Sequence, residues 1–370
     1  MPGKKVWIQI NKRAIGKNIA AMRNIIRPST KLFAVVKSNA YGHGLTLFSG
    51  IAEESGVDGF CVDSLVEGLK LRGAGIRKPI LVLGPTLPNG SLAEAATNDI
   101  TVTISNTESL NQMKKSKIKP SFHVKVDTGM HRQGFFPEEL NAVSQFIKKN
   151  KLPLTGVYTH FASAKDINYP TFTDSQFKKF TDAHRILETH GFKKLLRHAA
   201  ATGGTMLSKK YHLDAVRIGI GLYGLSPSRE LEFQRTDISL EPVLSWHSLV
   251  SEVKDIPAGG YIGYDLAERV TRKTKVAIVP IGYWHGFDRG LSHVGEVLIA
   301  GKRARVLGRV SMDILTVDAT GIPVHQGSIA TIIGRQGRET VSANEMGQKI
   351  GTSHYEIVTR INPLIERVIT

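Results

Sequence analysis

A single motif, a short apolar run followed by an amphipathic stretch, recurs eight times in the first 220 residues and constrains this chain more than any other feature. The runs fall at about 32–36 (LFAVV), 59–62 (GFCV), 79–83 (PILVL), 100–104 (ITVTI), 121–126 (SFHVKV), 154–158 (LTGVY), 195–198 (LLRH) and 215–218 (AVRI). β-Branched and aromatic residues mark them as strands. Helix-like starts such as Pro137-Glu138-Glu139 and Thr173-Asp174-Ser175 lie between them. Strands alternating with helices call for a parallel sheet. Eight such units in this length fit a (β/α)8 barrel better than an open sheet. From about Leu231 the texture changes to short runs (Val276–Ile281, Glu296–Ala300, Arg305–Val310, Ser328–Ile333) broken by Gly, Pro and Asp. Only Ser342–Ile350 reads as clearly helical there, with Ser342 as N-cap and Glu345 closing a capping box. The expected α/β architecture is therefore an N-terminal (β/α)8 barrel over residues 11–230 followed by a C-terminal mostly β domain over 231–370. Val6–Ile10 alternates like a strand that joins the second domain.

Composition removes several classes of function. Across 370 residues, 41% hydrophobic and 22% charged residues are ordinary globular proportions. Lys and Arg exceed Asp and Glu by 49 to 32, a net charge of +17. The basic residues are scattered in pairs such as Lys114-Lys115, with no interleaving of Arg and aromatics, so a solvated surface is expected rather than a nucleic-acid platform. No apolar run could cross a bilayer, and Met1–Trp7 lacks the apolar core of a secretion leader. Cys61 is the sole cysteine, which rules out an internal disulfide and a cysteine-cluster zinc site and fits a cytoplasmic location.

Barrels of this kind collect function at the C-terminal ends of their strands. Lys37-Ser38-Asn39-Ala40-Tyr41-Gly42-His43-Gly44 follows the first run, and Asp127-Thr128-Gly129-Met130-His131-Arg132 the fifth. The sixth leads to Thr159-His160, the seventh ends at His198 before Ala201-Thr202-Gly203-Gly204, and the eighth carries Arg217-Ile218-Gly219-Ile220. A lysine at the mouth, its stem buried, can form a Schiff base with an aldehyde. Glycine-rich turns after the last two strands commonly bind phosphate through backbone N–H groups. Lys37 opposite such turns suggests pyridoxal phosphate. Gly219–Gly224 also matches G-x-G-x-x-G, but it closes the barrel instead of opening a dinucleotide-binding unit. In Phe122–Asp127, strict alternation sends His123, Lys125 and Asp127 to one face. Lys125 is thus expected inside the barrel, where repulsion from Arg132 favours its neutral amine, which can take up carbon dioxide as a carbamate.

Ala34–Gly44 resembles the lysine signature of bacterial alanine racemases almost letter for letter. Lys125–Arg132, Val216–Gly219, Ile281–Tyr283 and Gly308–Asp313 resemble the same family, in order along the whole chain. The resemblance implies a pyridoxal-phosphate-dependent isomerase interconverting L- and D-alanine, with D-alanine going to peptidoglycan. Lys37 would hold the cofactor and act as base on the D side. Tyr264, reaching across a homodimer interface, would be the base on the L side. Arg217 would meet the pyridine nitrogen and His160 would orient it. Tyr41, Tyr355, Thr202, Gly219 and Ile220 would hold the phosphate. Arg132, positioned by carbamylated Lys125, would contact the cofactor and the substrate carboxylate. Met312 and Tyr283, from the partner copy, would contact the substrate and line its access path.

Three departures from the family's usual pattern stand out. The seventh strand reads His198-Ala199-Ala200-Ala201-Thr202 where Asn precedes the hydroxyl residue in relatives, Asp265-Leu266 follows Tyr264 in place of Gly and an aromatic, and position 311 is Ser. A serine or broad-specificity racemase is the near alternative. The barrel-type decarboxylases of basic amino acids carry a Gly-Glu-Pro-Gly-Arg phosphate motif and a Cys-Asp segment, and neither occurs here.

Overall fold

The computed structural model describes residues 4–86, 91–165 and 169–370; Met1–Gly3, which head the N-terminal stretch read above, lie outside them. The chain divides into two compact units, one of residues 13–40 and 45–241, the other of residues 1–12, 41–44 and 242–370.

Strand β1 (Val6–Ile10) belongs to the second unit. The first unit is a closed barrel of eight strands: β2 (Lys31–Val35), β3 (Gly59–Val62), β4 (Ile80–Val82), β5 (Ile100–Ile104), β6 (Phe122–Lys125), β7 (Leu154–Tyr158), β8 (Leu196–Ala201) and β9 (Ala215–Ile218). Each pairs in parallel with the next, and β9 closes on β2 through registers such as Leu32↔Val216. Helices intervene, so the strands are covered outside and filled inside, which is why β3, β4, β6 and β9 are buried throughout.

Two local expectations need correction. The seventh barrel strand does not end at His198 but runs on through Ala201, because three consecutive small alanines extend the strand in place of a loop. The long helix before it starts at Pro170, not Thr173, since a proline supplies helical φ at a first position that needs no N–H donor.

The second unit is built on a ten-stranded sheet. Its members are β1, β10 (Leu244–Leu249), β11 (Glu252–Ile256), β14 (Thr274–Val279), β15 (Glu296–Ile299), β16 (Lys302–Leu307), β17 (Leu315–Asp318), β18 (Ile329–Gln336), β19 (Glu339–Val341) and β20 (Arg367–Ile369). β12 (Tyr261–Ile262) and β13 (Glu268–Arg269) form a separate hairpin flanking Tyr264. β1 pairs antiparallel with β10 and parallel with β20. A second helix, His354–Thr359, capped by Ser353, accompanies Ala343–Lys349, so the unit is less purely β than its sequence reads. The capping box is half formed. Ser342 accepts the Glu345 N–H, but the Glu345 carboxylate turns to Arg303 at 2.6 Å. No helix among the described residues is long and apolar enough to cross a membrane.

Candidate active site

Lys37 opens a turn with an unusual backbone. Ser38, Asn39, Ala40 and Tyr41 all take left-handed conformations, with φ between 52° and 56°. Such residues cost roughly 1–2 kcal/mol apiece, so the surroundings must hold them there. The Leu45 N–H donates to Asn39 Oδ1 at 2.9 Å, and the Asn39 N–H donates to Glu67 Oε1 at 3.3 Å. Glu67's other oxygen accepts the Asp63 N–H at 2.9 Å. One carboxylate therefore ties the lysine turn to the end of β3. It also brings Asp63 Oδ1 within 3.6 Å of Lys37 Nζ, a partner the sequence did not announce. The Lys37 side chain is 40% exposed, so its amine remains accessible.

Arg217, on β9, is fully buried at the barrel centre. Its Nη2 donates to the carbonyls of Thr159 (2.8 Å) and Ala199 (3.0 Å) and reaches His160 Nδ1 at 3.3 Å. Its Nη1 donates to His198 Nδ1 at 2.5 Å. The Nε–H makes no hydrogen bond among the described residues, which leaves it free to donate to a ligand. Burial first, then the positive charge of Arg217, pushes His160 down to about 3, so His160 is neutral and can only accept from the guanidinium. The Tyr158 ring lies 5.0 Å from the Arg217 guanidinium and 5.7 Å from Lys125 Nζ. Its hydroxyl meets Thr103 Oγ1 at 3.0 Å, and burial raises its pKa to about 12.

Lys125 points into the barrel, as the alternation of its strand predicts. Burial, reinforced by Arg132 and Arg217, lowers its pKa to about 8. Its Nζ donates to Gln133 Oε1 at 3.0 Å, and Gln133 Nε2 reaches Ser105 Oγ at 3.3 Å. Sequence reading passed over Gln133. Asp127 does not share the interior role of its strand neighbours: β6 has ended, and its Oδ1 accepts the N–H groups of Gly129, Met130 and His131, shaping the turn that carries Arg132.

Thr202 begins the short helix after β8, and its Oγ1 accepts the Gly219 N–H at 3.1 Å. The Thr202 hydroxyl hydrogen, the Ile220 N–H and the first-turn N–H groups of Gly203 and Gly204 are thus donors these two turns can offer an anion. The glycines of the dinucleotide-like string serve packing and turning: a Cβ at Gly221 would lie 2.8 Å from Thr202 Cγ2, and Gly224 ends a helical turn at φ 78°. Cys61 is fully buried in β3, its thiol pushed up to about 12 by burial, so it is not a nucleophile.

The other proposed site residues lie in the second unit. Tyr41 and Tyr355 stand with ring centroids 6.1 Å apart. Gly42 makes this possible: at φ 83°, a Cβ there would fall 1.9 Å from the Val358 carbonyl oxygen. Tyr283 and Met312 are held side by side, since the Tyr283 N–H donates to the Ser311 carbonyl and the Trp284 N–H to the Met312 carbonyl, both at 3.0 Å. Tyr264 is 70% exposed on a loop in which Gly263, Asp265 and Leu266 are left-handed and Asp265 pairs with Arg309 at 2.6 Å.

The profile of the alanine racemase N-terminal domain matches residues 10–227, and that of the C-terminal domain matches residues 243–369. The chain belongs to the alanine racemase family. It is 38% identical to an alanine racemase of Methanococcus maripaludis, covering 100% of this chain and 99% of that one. It is 37% identical to one of Leptospira interrogans, covering 98% and 95%. Among solved structures, the alanine racemase from Bacillus anthracis with bound L-Ala-P superposes with a TM-score of 0.93 at 36% identity, over 99% of this chain and 95% of that one. Membership makes this chain an isomerase of the pyridoxal-phosphate-dependent alanine racemase type. Its own residues fit that cofactor: an accessible lysine amine for the aldehyde, a buried guanidinium with an unpartnered Nε–H for a ring nitrogen, and hydroxyl and N–H donors for a phosphate.

Proposed function

We propose that this member of the alanine racemase family interconverts L- and D-alanine with two bases, Lys37 on the D side and Tyr264 of a second copy of the chain on the L side. Pyridoxal phosphate, when bound, supplies the electron sink that makes the substrate's α-proton removable. Inversion then needs acid–base groups on opposite faces of the α-carbon. The observation that carries the reading is Arg217. Buried and permanently cationic, it would donate its Nε–H to the pyridine nitrogen and keep that nitrogen unprotonated, which limits side reactions such as transamination. His160 orients it. Thr202, Ile220, Tyr41 and Tyr355 would hold the phosphate, and Gly219, proposed with them, would act through its N–H bond to the Thr202 hydroxyl oxygen. Arg132 would bind the substrate carboxylate, Met312 would offer it a backbone N–H, and Tyr283 would line the access path. A homodimer is supported by the large side chains that the second unit exposes besides Tyr264, namely Tyr261, Leu266, Tyr283, Trp284, Met312 and Ile314. We further propose a cytoplasmic location and a supply of D-alanine to peptidoglycan.

Proton NMR in D2O tests the reading. Purified protein with pyridoxal phosphate and L-alanine should lose the α-proton signal while chiral analysis shows D-alanine growing. Exchange without inversion would remove Tyr264 from its role. No exchange with any amino acid would sink the racemase reading.

Lys125 is proposed to add its neutral amine to carbon dioxide, forming an N–C bond and releasing a proton, so that the carbamate positions Arg132. With the amine's pKa near 8, the reactive form grows about tenfold per pH unit below that value. Under 13CO2 at constant pressure, a single carbamate carbon should grow between pH 6 and 8 and vanish in Lys125→Ala. If no such carbon forms, Gln133 is the lasting partner of Lys125 and the carbamate role falls.

A further inference from the structure

The contact between Arg217 and His198 continues to a third residue. His198 Nε2 lies 2.9 Å from Nδ1 of His123, inside the barrel on β6. Chemistry fixes the direction of every hydrogen bond in this row. A guanidinium has only donors, so His198 Nδ1 must accept from Arg217. The His198 proton must then sit on Nε2, where it can only be donated to His123 Nδ1. His123 in turn carries its proton on Nε2. A protonated His123 would turn Nδ1 into a donor facing the His198 N–H and break the row.

The fold makes room for this arrangement at one specific place. A Cβ at Gly156, on the neighbouring strand β7, would lie 2.5 Å from His123 Nε2, so any side chain there would displace the ring. Tyr158, two residues on, stacks on His198 with centroids 4.7 Å apart and planes 9° apart, holding the second ring flat.

We infer that His123 is a positioning residue: by accepting the His198 Nε2–H it keeps His198 Nδ1 bare, and so keeps the Arg217 guanidinium in its place. Without that acceptor, the buried His198 N–H is stranded. Moving the proton to Nδ1 would relieve it, but would set an N–H against the Arg217 N–H and drive the guanidinium away. The inference rests on the reading of Arg217 as the pyridine partner only for its kinetic consequence.

Two measurements on the full-length protein decide it. With 15N-labelled histidine, coupling across the hydrogen bond should link a protonated His198 Nε2 to an unprotonated His123 Nδ1. A proton on His198 Nδ1 or on His123 Nδ1 overturns the inference. In the holoenzyme, His123→Leu should lower kcat for alanine on the order of tenfold or more. His123→Asn, whose side-chain oxygen comes near the place of Nδ1, should recover much of that loss. A space-filling role predicts the reverse, because Leu fills the apolar volume better. A Leu variant as active as or more active than the Asn variant therefore overturns the inference. Should neither variant fold, the wild-type coupling decides alone. Should the wild type prove inactive, the coupling still reports on His123, and the failure belongs to the functional reading.

Discussion

Lys37→Ala is expected to lower kcat/KM for alanine by about 10³–10⁴-fold or more, because it removes both the covalent anchor of the cofactor and one of the two bases. No neighbour can take over. Lys125 is inside the barrel and bonded to Gln133, while Lys37 alone is delivered by the left-handed turn beside Asp63. The check is chemical as well as kinetic. Borohydride reduction of the wild type should fix the cofactor's mass to the peptide containing Lys37. The alanine variant should show no adduct on any lysine and should lose the absorption of the lysine-bound cofactor. Added methylamine should restore part of the exchange at the D-alanine α-proton, since a free amine can replace the missing base. A variant that still gives a reducible adduct on another lysine would show that Lys37 is not the anchor.

The barrel was legible because its strands are buried on both faces and so read as continuous apolar runs, with turn chemistry at each end. Its boundaries were less so. His198 lies within β8, not at its end, because Ala199, Ala200 and Ala201 carry no side chain large enough to mark inside from outside. The helix His354–Thr359 is too short to show a period and is set by its Ser353 cap and by the close approach of Gly42.

The rim of the site was legible for a different reason. Lys37, Lys125, His160, Thr202 and Arg217 lie at or just beyond strand ends, where a polar residue interrupts an apolar run. The layer beneath was not. His123, Tyr158, Thr103 and His198 meet one another across four strands, and nothing in a single strand tells which interior residues will share a level. Gln133 was hidden because its amide has a role only once Lys125 is known to point inward. The left-handed turn at Ser38–Tyr41 was equally hidden, since it contains no glycine to signal positive φ.

Tyr264→Phe should separate the two halves of the reaction. The substitution keeps the ring, and with it the exposed side chains proposed to form the dimer, and removes only the hydroxyl that would carry the proton. The loop's left-handed Gly263, Asp265 and Leu266 and the Asp265–Arg309 pair are untouched, so the ring should stay where it is. Racemisation in both directions is expected to fall by about 10²–10⁴-fold, the worth of one general base. In D2O, D-alanine should still exchange its α-proton, since Lys37 remains, but the product should be deuterated D-alanine with almost no L-isomer. L-Alanine should bind and exchange hardly at all. The asymmetry is the test: equal loss of exchange from both enantiomers would mean that Tyr264 supports the site as a whole. Racemisation at the wild-type rate would place the second base elsewhere.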